Sequence, residues 1–486
     1  GSVHPYEVEL DGEPVWPPAD GRPRSAIHTR EHERQARLIF GSCRVGDPQR
    51  EPYTLPPSEH PRGFGVDALW SLSRRLQAGG EEWPDCLLLL GDQVYADETS
   101  VETRAFIRGR RDVSKPPHLE VADFEEYTQL YRESWSDPDI RWLLATVPST
   151  MIFVDHDVHD DWNISEAWVR DMRATPWWEA RISGAFVSYW IYQHLGNLAP
   201  PELADEPVLA ALYETDDGGP ALRRFARTKD RETTASRFAF HRDFGRSRLV
   251  VIDSRAARVL TEGRRDMVDA EEWAWIVEHA RGPYDHLIIA STLPVFMLEA
   301  IHDLEAWNEA ICSGAWGRIP ARLGEKLRRA LDLEHWPAFQ HSFRAMADLL
   351  RELAAAPDAP GTISLIGGDV HTAYIAEVTL GDGQESRVFQ IVCSPFRNPL
   401  HPRERRTIRL LQSRAARVLC RALARSAGVE PPSAEWRLVT PVTFENSIAA
   451  IDLDERRARV TIRSSAPETD AGWPLETLHE RDLTPH

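Results

Sequence analysis

The strongest pattern along the chain is a series of short apolar runs that end in polar residues. They are ARLIFGSC (36–43), DCLLLLGD (85–92), STMIFVDHD (149–157), SRLVVIDS (247–254), DHLIIAST (285–292) and TISLIGGDVH (362–371). Each is apolar throughout rather than alternating, which predicts strands buried on both faces. The segments between them have helical character, so the pattern predicts an α/β fold. Ligands in such folds gather beyond the carboxyl ends of the strands, where the polar residues stand.

Three later runs, VFQIVC (388–393), SIAAIDL (447–453) and ARVTIRS (458–464), lie closer together and predict a second, mixed sheet. Trp-rich helical insertions are expected at roughly 120–145, 163–235 and 300–354, the last containing LEHWPAFQHSF. Ahead of the first buried run, PYEVELDGEPVW (5–16) reads as two short strands around an Asp-Gly turn, followed by a linker with Pro17, Pro18 and Pro23. Residues 1–35 are therefore read as a hairpin and linker, packed on the main domain or left from a truncated β-sandwich module. Residues 36–486 are read as one large domain.

Composition narrows the function. Apolar residues make up 42% and charged residues 27% of the 486, as in an ordinary globular protein. The net charge of −19, from 57 Lys+Arg against 76 Asp+Glu, repels a duplex phosphate backbone and argues against nucleic-acid binding. A hydrolase of phosphorylated small molecules escapes that objection, because bound cations reverse the sign inside a site. The five cysteines, Cys43, Cys86, Cys312, Cys393 and Cys420, are odd in number and contain no CxxC pair. That fits neither a disulfide framework nor a zinc knuckle, and points to a reducing compartment. No run is long enough to span a bilayer and no signal peptide is visible, so the visible chain is expected to be cytoplasmic. Gly1-Ser2 has the look of a cleavage scar, which keeps a secreted origin open. Residues 403–425 (RERRTIRLLQSRAARVLCRALAR) form a basic amphipathic pattern of the kind that can lie on anionic lipid. A solvated helix paired with the surplus carboxylates is the preferred reading, and no membrane contact is expected.

Four strand ends deliver metal-competent groups: Cys43 in GSCR, Asp92 and Tyr95 in GDQVYAD, Asp155, His156 and Asp157 in VDHD, and Asp369 and His371 in GGDVH. Singly, each reads as a turn or a small buried residue. Together they would bury charge at several strand ends, which is costly unless the charges are paired or bind metal. Thiolate, phenolate and imidazole suit an oxidised iron or zinc, whereas carboxylates suit Ca²⁺, Mg²⁺ or Mn²⁺. Two ions sharing an aspartate can clamp a phosphate and activate a water. His159, Asp160, Asp161 and Asn163 follow directly and read equally as partners that orient the site or as loop caps. His335 and Trp336 read as a packed helix or as a cover over the site.

On these motifs the chain resembles the calcineurin-like metallophosphoesterases, and among them the PhoD-like (alkaline phosphatase D) branch. GDQVY (91–95) matches the Gly-Asp-x-x-Tyr motif. Cys43 in the first ligand position, Asp155 before His156, and Gly368-Asp369-Val370-His371 are similar to that branch, in family order over roughly residues 36–465. The resemblance implies a four-layer α/β/β/α sandwich of two mixed sheets and metal-dependent hydrolysis of phosphomonoesters, phosphodiesters or both. It implies that Asp92 bridges two ions, that Cys43, Tyr95 and His371 complete a site for Fe³⁺, and that Asp155 and Asp369 hold Ca²⁺. Mn²⁺, Mg²⁺ and Zn²⁺ are the alternatives. His156 matches the residue that assists leaving-group protonation or steadies the transition state. Arg44 is expected at a phosphoryl oxygen, and Asp253 and Arg255 in VIDSRAAR resemble the family's Leu-Asp-x-Arg segment, with Arg255 expected at the site. Asp157, His159 and Asp253 are expected to support the ligands.

Two departures stand out. Val154 occupies the first position of the family's common Asp-Asp-His, and LEHW (333–336) lies where a Trp-Asp-Gly-Tyr-like segment is expected. A metallo-β-lactamase-like hydrolase would need an HxHxDH run, which is absent. A metal-binding module of the same fold without turnover is the remaining rival, favoured only by Val154.

Overall fold

The computed structural model describes residues 1–30, 35–469 and 472–484; residues 31–34 of the expected linker, and 470–471 and 485–486, lie outside it. Near the amino terminus are β1 (Val3–Pro5), β2 (Val8–Leu10), β3 (Glu13–Trp16) and β4 (Ala26–His28). β2 and β3 form the expected hairpin, turning through Asp11 (φ 53°) and Gly12 (φ 81°). The following strands are β5 (Ala36–Gly41), β6 (Cys86–Leu89), β7 (Ser149–Met151), β8 (Phe240–Phe244), β9 (Ser247–Ile252) and β10 (His286–Ser291). The chain ends with β11 (Thr362–Gly367), β12 (Tyr374–Thr379), β13 (Arg387–Val392), β14 (Glu435–Leu438), β15 (Ser447–Asp454), β16 (Arg457–Ser465) and β17 (Leu475–Asp482).

Side chains alternate across each strand, and the two faces of each sheet meet different partners. Leu38, Phe40 and Leu88 pack against Leu249, Val251, Ile288 and Ile391, forming one core between two sheets. Ile39, Leu87 and Leu89 turn the other way, toward helices Ala68–Gln77 and Pro138–Thr146. Val250, Leu287, Ile289 and Leu365 likewise turn outward, toward helices Ala270–Ala280 and Gln340–Ala354. The result is a four-layer α/β/β/α sandwich. One sheet runs β14-β12-β13-β11-β10-β9-β8 and the other β17-β16-β15-β5-β6-β7, both mixed.

The division between sheets differs from the sequence reading. β13 pairs in parallel with β11 inside the larger sheet, while β15 returns to pair antiparallel with β5. The second sheet therefore joins the early strands to the last ones. The 149–157 run also stops pairing at Met151; Ile152, Phe153 and Val154 remain buried outside the ladder. Phe153 is held by Phe186 and Trp162, each with ring centroids 5.1 Å away, so the Trp-rich insertion anchors the loop that follows. The basic segment is two helices, Pro402–Leu411 and Arg414–Ser426, rather than one. Ser413 breaks it by accepting the Ala416 amide at 3.2 Å and restarting the helix. No helix among the described residues is long and apolar enough to cross a membrane.

Candidate metal centre

β5 and β6 are parallel neighbours in one sheet and β11 belongs to the other, and the turns beyond all three interlock around Ser42. Its Oγ accepts the Asp369 amide at 2.9 Å. A Cβ on Gly91 would lie 2.5 Å from the Ser42 Cβ, and one on Gly368 only 2.1 Å from Ser42 Oγ, so both motif glycines are demanded by close approach. The Arg44 amide donates to the Asp92 carbonyl at 3.0 Å, and the Ala96 amide to the His156 carbonyl at 2.9 Å, tying three of the loops together. Cys43 (φ 55°), Asp369 (φ 58°) and His371 (φ 48°) all adopt the left-handed conformation that non-glycine residues avoid. Such strain persists only where the surroundings enforce it, and it concentrates at functional sites.

These turns bring Cys43, Asp92 and Asp369 together, with one donor atom of each within 4.8 Å of the others. Asp92 is fully buried, and neither of its carboxyl oxygens has a hydrogen-bond partner. Cys43 Sγ lies 3.4 Å from both Asp369 Oδ1 and Ser394 Oγ. Asn398 joins two further expected ligands: its Nδ2 donates to the Tyr95 hydroxyl at 3.1 Å, and its carbonyl lies 2.6 Å from His371 Nδ1. That contact leaves the other ring nitrogen of His371 as the available donor atom.

Arg255 organises the opposite side. Its Nη2 lies 3.1 Å from Asp155 Oδ1 and 2.7 Å from Asp369 Oδ2, and its Nη1 lies 2.5 Å from Glu334 Oε2. Asp369 thus divides its oxygens between Arg255 and Cys43. Arg258 reaches the same Glu334 oxygen at 3.0 Å. Asp253, whose Oδ1 accepts the Arg255 and Ala256 amides at 3.0 and 2.7 Å, caps the turn that carries Arg255. Asn163 adds a hydrogen bond to the Arg255 carbonyl.

His156 stands at the rim with its Nδ1 2.9 Å from Asp97 Oδ1 and its ring 4.8 Å from that of Tyr95. Asp97 also accepts the Asp160 amide at 2.6 Å, and Asp155, His156 and Asp160 form a second compact group of donors.

Carboxylates outnumber the cations here, and the titration behaviour reflects it. Burial, then the Asp369 charge, pushes Asp92 well above the usual carboxylate range. Burial, then Asp92 and Asp369, pushes the Cys43 thiol up in the same way. Burial raises Asp157 to about 7. Burial opposes a charge on His156, but Asp97 and Asp92 outweigh it and lift the imidazole well above its ordinary value. For Glu334, Arg255 and Arg258 overcome burial and hold the carboxyl low. A buried, unpartnered Asp92 amid a thiol and further carboxylates is the environment a cation would relieve. The donor set therefore fits a metal centre.

Two expected contributors lie elsewhere. Arg44 is fully buried with its Nε on Asp67 Oδ2 at 2.7 Å and its Nη1 on the Ser134 carbonyl at 2.8 Å. Asp67, itself fully buried and capping helix Ala68–Gln77 through Leu69 and Trp70, requires that counter-charge. His159 turns its Nδ1 to the Asp160 carbonyl at 2.7 Å and its Nε2 toward Glu120. His335 pairs with Glu305 at 2.6 Å, and Trp336 is buried, its Nε1 on Ser291 Oγ. Residues that the motifs did not single out are Ser42, Asp97, Glu334, Ser394 and Asn398. Asp97 and Glu334 stood inside quoted segments, GDQVYAD and LEHW; Asn398 carried no local signal.

The fold is a four-layer α/β/β/α sandwich, and the turns at its strand ends carry a donor set that fits metal ions. The PhoD-like phosphatase family model matches residues 72–417, and the chain belongs to that family. Membership supports a metal-dependent, phosphoesterase-type function on phosphorylated substrates. Cys43 precedes the matched span, and the fold alone brings it to the site. A solved structure of PhoD superposes with a TM-score of 0.55 at 11% identity, covering 96% of this chain and 75% of that one; at that identity the likeness concerns the fold. No curated protein matches.

Proposed function

We propose that the chain hydrolyses phosphoric monoesters or diesters at a centre of two or more ions held by Cys43, Asp92, Tyr95, Asp155, Asp369 and His371. The observation that carries this reading is Asp92, a fully buried carboxylate with no hydrogen bond, beside Cys43 and Asp369. Bound ions would supply a polarised phosphoryl oxygen and an activated water. Thiolate, phenolate and imidazole favour Fe³⁺ on the Cys43, Tyr95 and His371 side, and the carboxylates Asp155 and Asp369 favour Ca²⁺. Asp92 would be shared between the two ions.

The remaining residues orient and move protons. Arg255 pairs with Oδ1 of Asp155 and Oδ2 of Asp369, so it acts by positioning the ligands. His156, oriented by Asp97 at its Nδ1, gives a proton to the leaving oxygen as the ester bond breaks or steadies the transition state.

A metal-binding module without turnover is the competing reading, resting on the buried, apolar Val154. Turnover of p-nitrophenyl phosphate and bis(p-nitrophenyl) phosphate, measured before and after chelation with metal content on the same samples, separates the two. Activity lost on chelation and restored by metal supports hydrolysis. Bound metal with neither ester turned over selects the binding module.

A further inference from the structure

The two helices of the basic segment carry a surface that neither the centre nor the core uses. Residues 402–426 contain eight arginines and one glutamate, seven net positive charges in a chain whose net charge is −19. Helix Arg414–Ser426 buries Cys420 and Ala424 against helix Glu299–Cys312. At 100° per residue, the face opposite those two carries Ala415, Val418, Leu419 and Ala422. Val418 and Leu419 are 64% and 61% exposed, and Leu410 on the preceding helix is 70% exposed.

The pattern recurs next door. Helix Arg318–Ala330 packs on the same helix Glu299–Cys312 and buries Gly324 and Arg328. Its outward side presents Ile319 and Leu323, 74% and 62% exposed, between exposed Arg322 and Lys326. Trp316 links the two, half-exposed and donating from Nε1 to the Ser426 carbonyl at 3.1 Å.

The solvated, ion-paired reading of the segment applies to only part of it. Arg417 and Arg421 pair with Glu299 and Asp303, and Arg405 and Arg409 lie over the Phe444 ring. Among the described residues, Arg403, Arg406, Arg414 and Arg425 make no ion pair.

We propose that this face docks the protein on an anionic lipid surface. Outward leucine, isoleucine and valine flanked by unpaired arginines, with a tryptophan at the margin, are the elements of a helix that lies in a membrane interface. Anionic headgroups complement the arginines. Exposed branched apolar side chains have no role on a nucleic-acid backbone, which sets lipid above a polyanion. The segment begins at Pro402, shortly after Asn398, which holds Tyr95 and His371.

Co-sedimentation of the full chain with phosphatidylcholine vesicles, with and without phosphatidylglycerol, tests this. Two variants serve: Leu410→Ser with Val418→Ser and Leu419→Ser, and Arg403→Gln with Arg406→Gln, Arg414→Gln and Arg425→Gln. All positions are exposed and outside the centre, so p-nitrophenyl ester turnover stays unchanged. The expected result is binding to anionic vesicles only, weakened by salt and reduced about tenfold or more in both variants. Three results would overturn the proposal: no binding, or equal binding to neutral vesicles; loss in the arginine variant with the serine variant unaffected, which indicates plain polyanion attraction; and a dimer dissociated by the serine variant without vesicle binding, which assigns the face to a second copy of the chain.

Discussion

Cys43 is fully buried and its thiol is pushed up by burial and by two aspartates, an unfavourable place for a thiolate unless a cation shares it. Coordination would reverse that balance, since a metal-bound thiol is deprotonated outright. With Fe³⁺ bound, thiolate and phenolate ligands give visible absorption, so the loaded protein is expected to be coloured. Cys43→Ser should lose or shift the band and lower iron content, whereas Cys86→Ser, at a buried strand position facing Thr150, should leave both alone. Elemental analysis of the two variants together with their spectra checks this. His156 permits a finer test. A proton donor matters for a poor leaving group and little for p-nitrophenolate, so His156→Gln should lower kcat on an alkyl phosphoester by about 10²–10⁴ and on the p-nitrophenyl ester far less. Equal losses on both would assign His156 a structural part. Most of the proposed ligands stand out as candidates in the sequence because each lies at or just beyond the end of an apolar run. Their partners do not: Asn398 reaches Tyr95 and His371 across large sequence separations, and Arg44, adjacent to a proposed ligand, is claimed by Asp67, whose need for a counter-ion only folding reveals.

The elements that matter most to the site are the turns after β5, β6 and β11, which pack into one another with no room for a side chain. Gly368→Ala would place a Cβ 2.1 Å from Ser42 Oγ. Overpacking of this kind costs about 1–3 kcal/mol, and it also shifts Asp369, whose amide binds the same hydroxyl. Activity is therefore expected to fall by more than the stability loss explains, roughly tenfold or more with the protein still folded; denaturant unfolding beside kcat measures both. The apolar runs marked nearly every central strand, since burial on both faces writes a continuous signal. The edge strands β8, β14 and β17 are more exposed or more polar and went unread. The single basic helix failed at one residue, Ser413, whose cap is a local signal outweighed by the arginine pattern on either side.

At the scale of the whole molecule, the sandwich joins the two ends of the chain, β5–β7 with β15–β17, and this long-range choice has no local sequence signature. The layers, by contrast, follow from strand burial and from the resemblance, and the structure carries both. The centre lies where the sheets' carboxyl edges meet, so bound ions would tie loops from both sheets together. Because such ions bind the folded chain and not the unfolded one, chelation should lower the thermal midpoint, by the equivalent of about 3 kcal/mol when metal had been present at a hundredfold its Kd. An unchanged midpoint would mean that the centre stays empty or that the ions add nothing to the fold. The most direct test of the account is the metal content of the wild type beside Asp92→Asn, with turnover measured on the same samples. The account predicts about two ions per chain in the wild type, a marked loss in the variant, and turnover abolished while the circular dichroism is retained. Equal metal content and near-normal turnover in Asp92→Asn would contradict it.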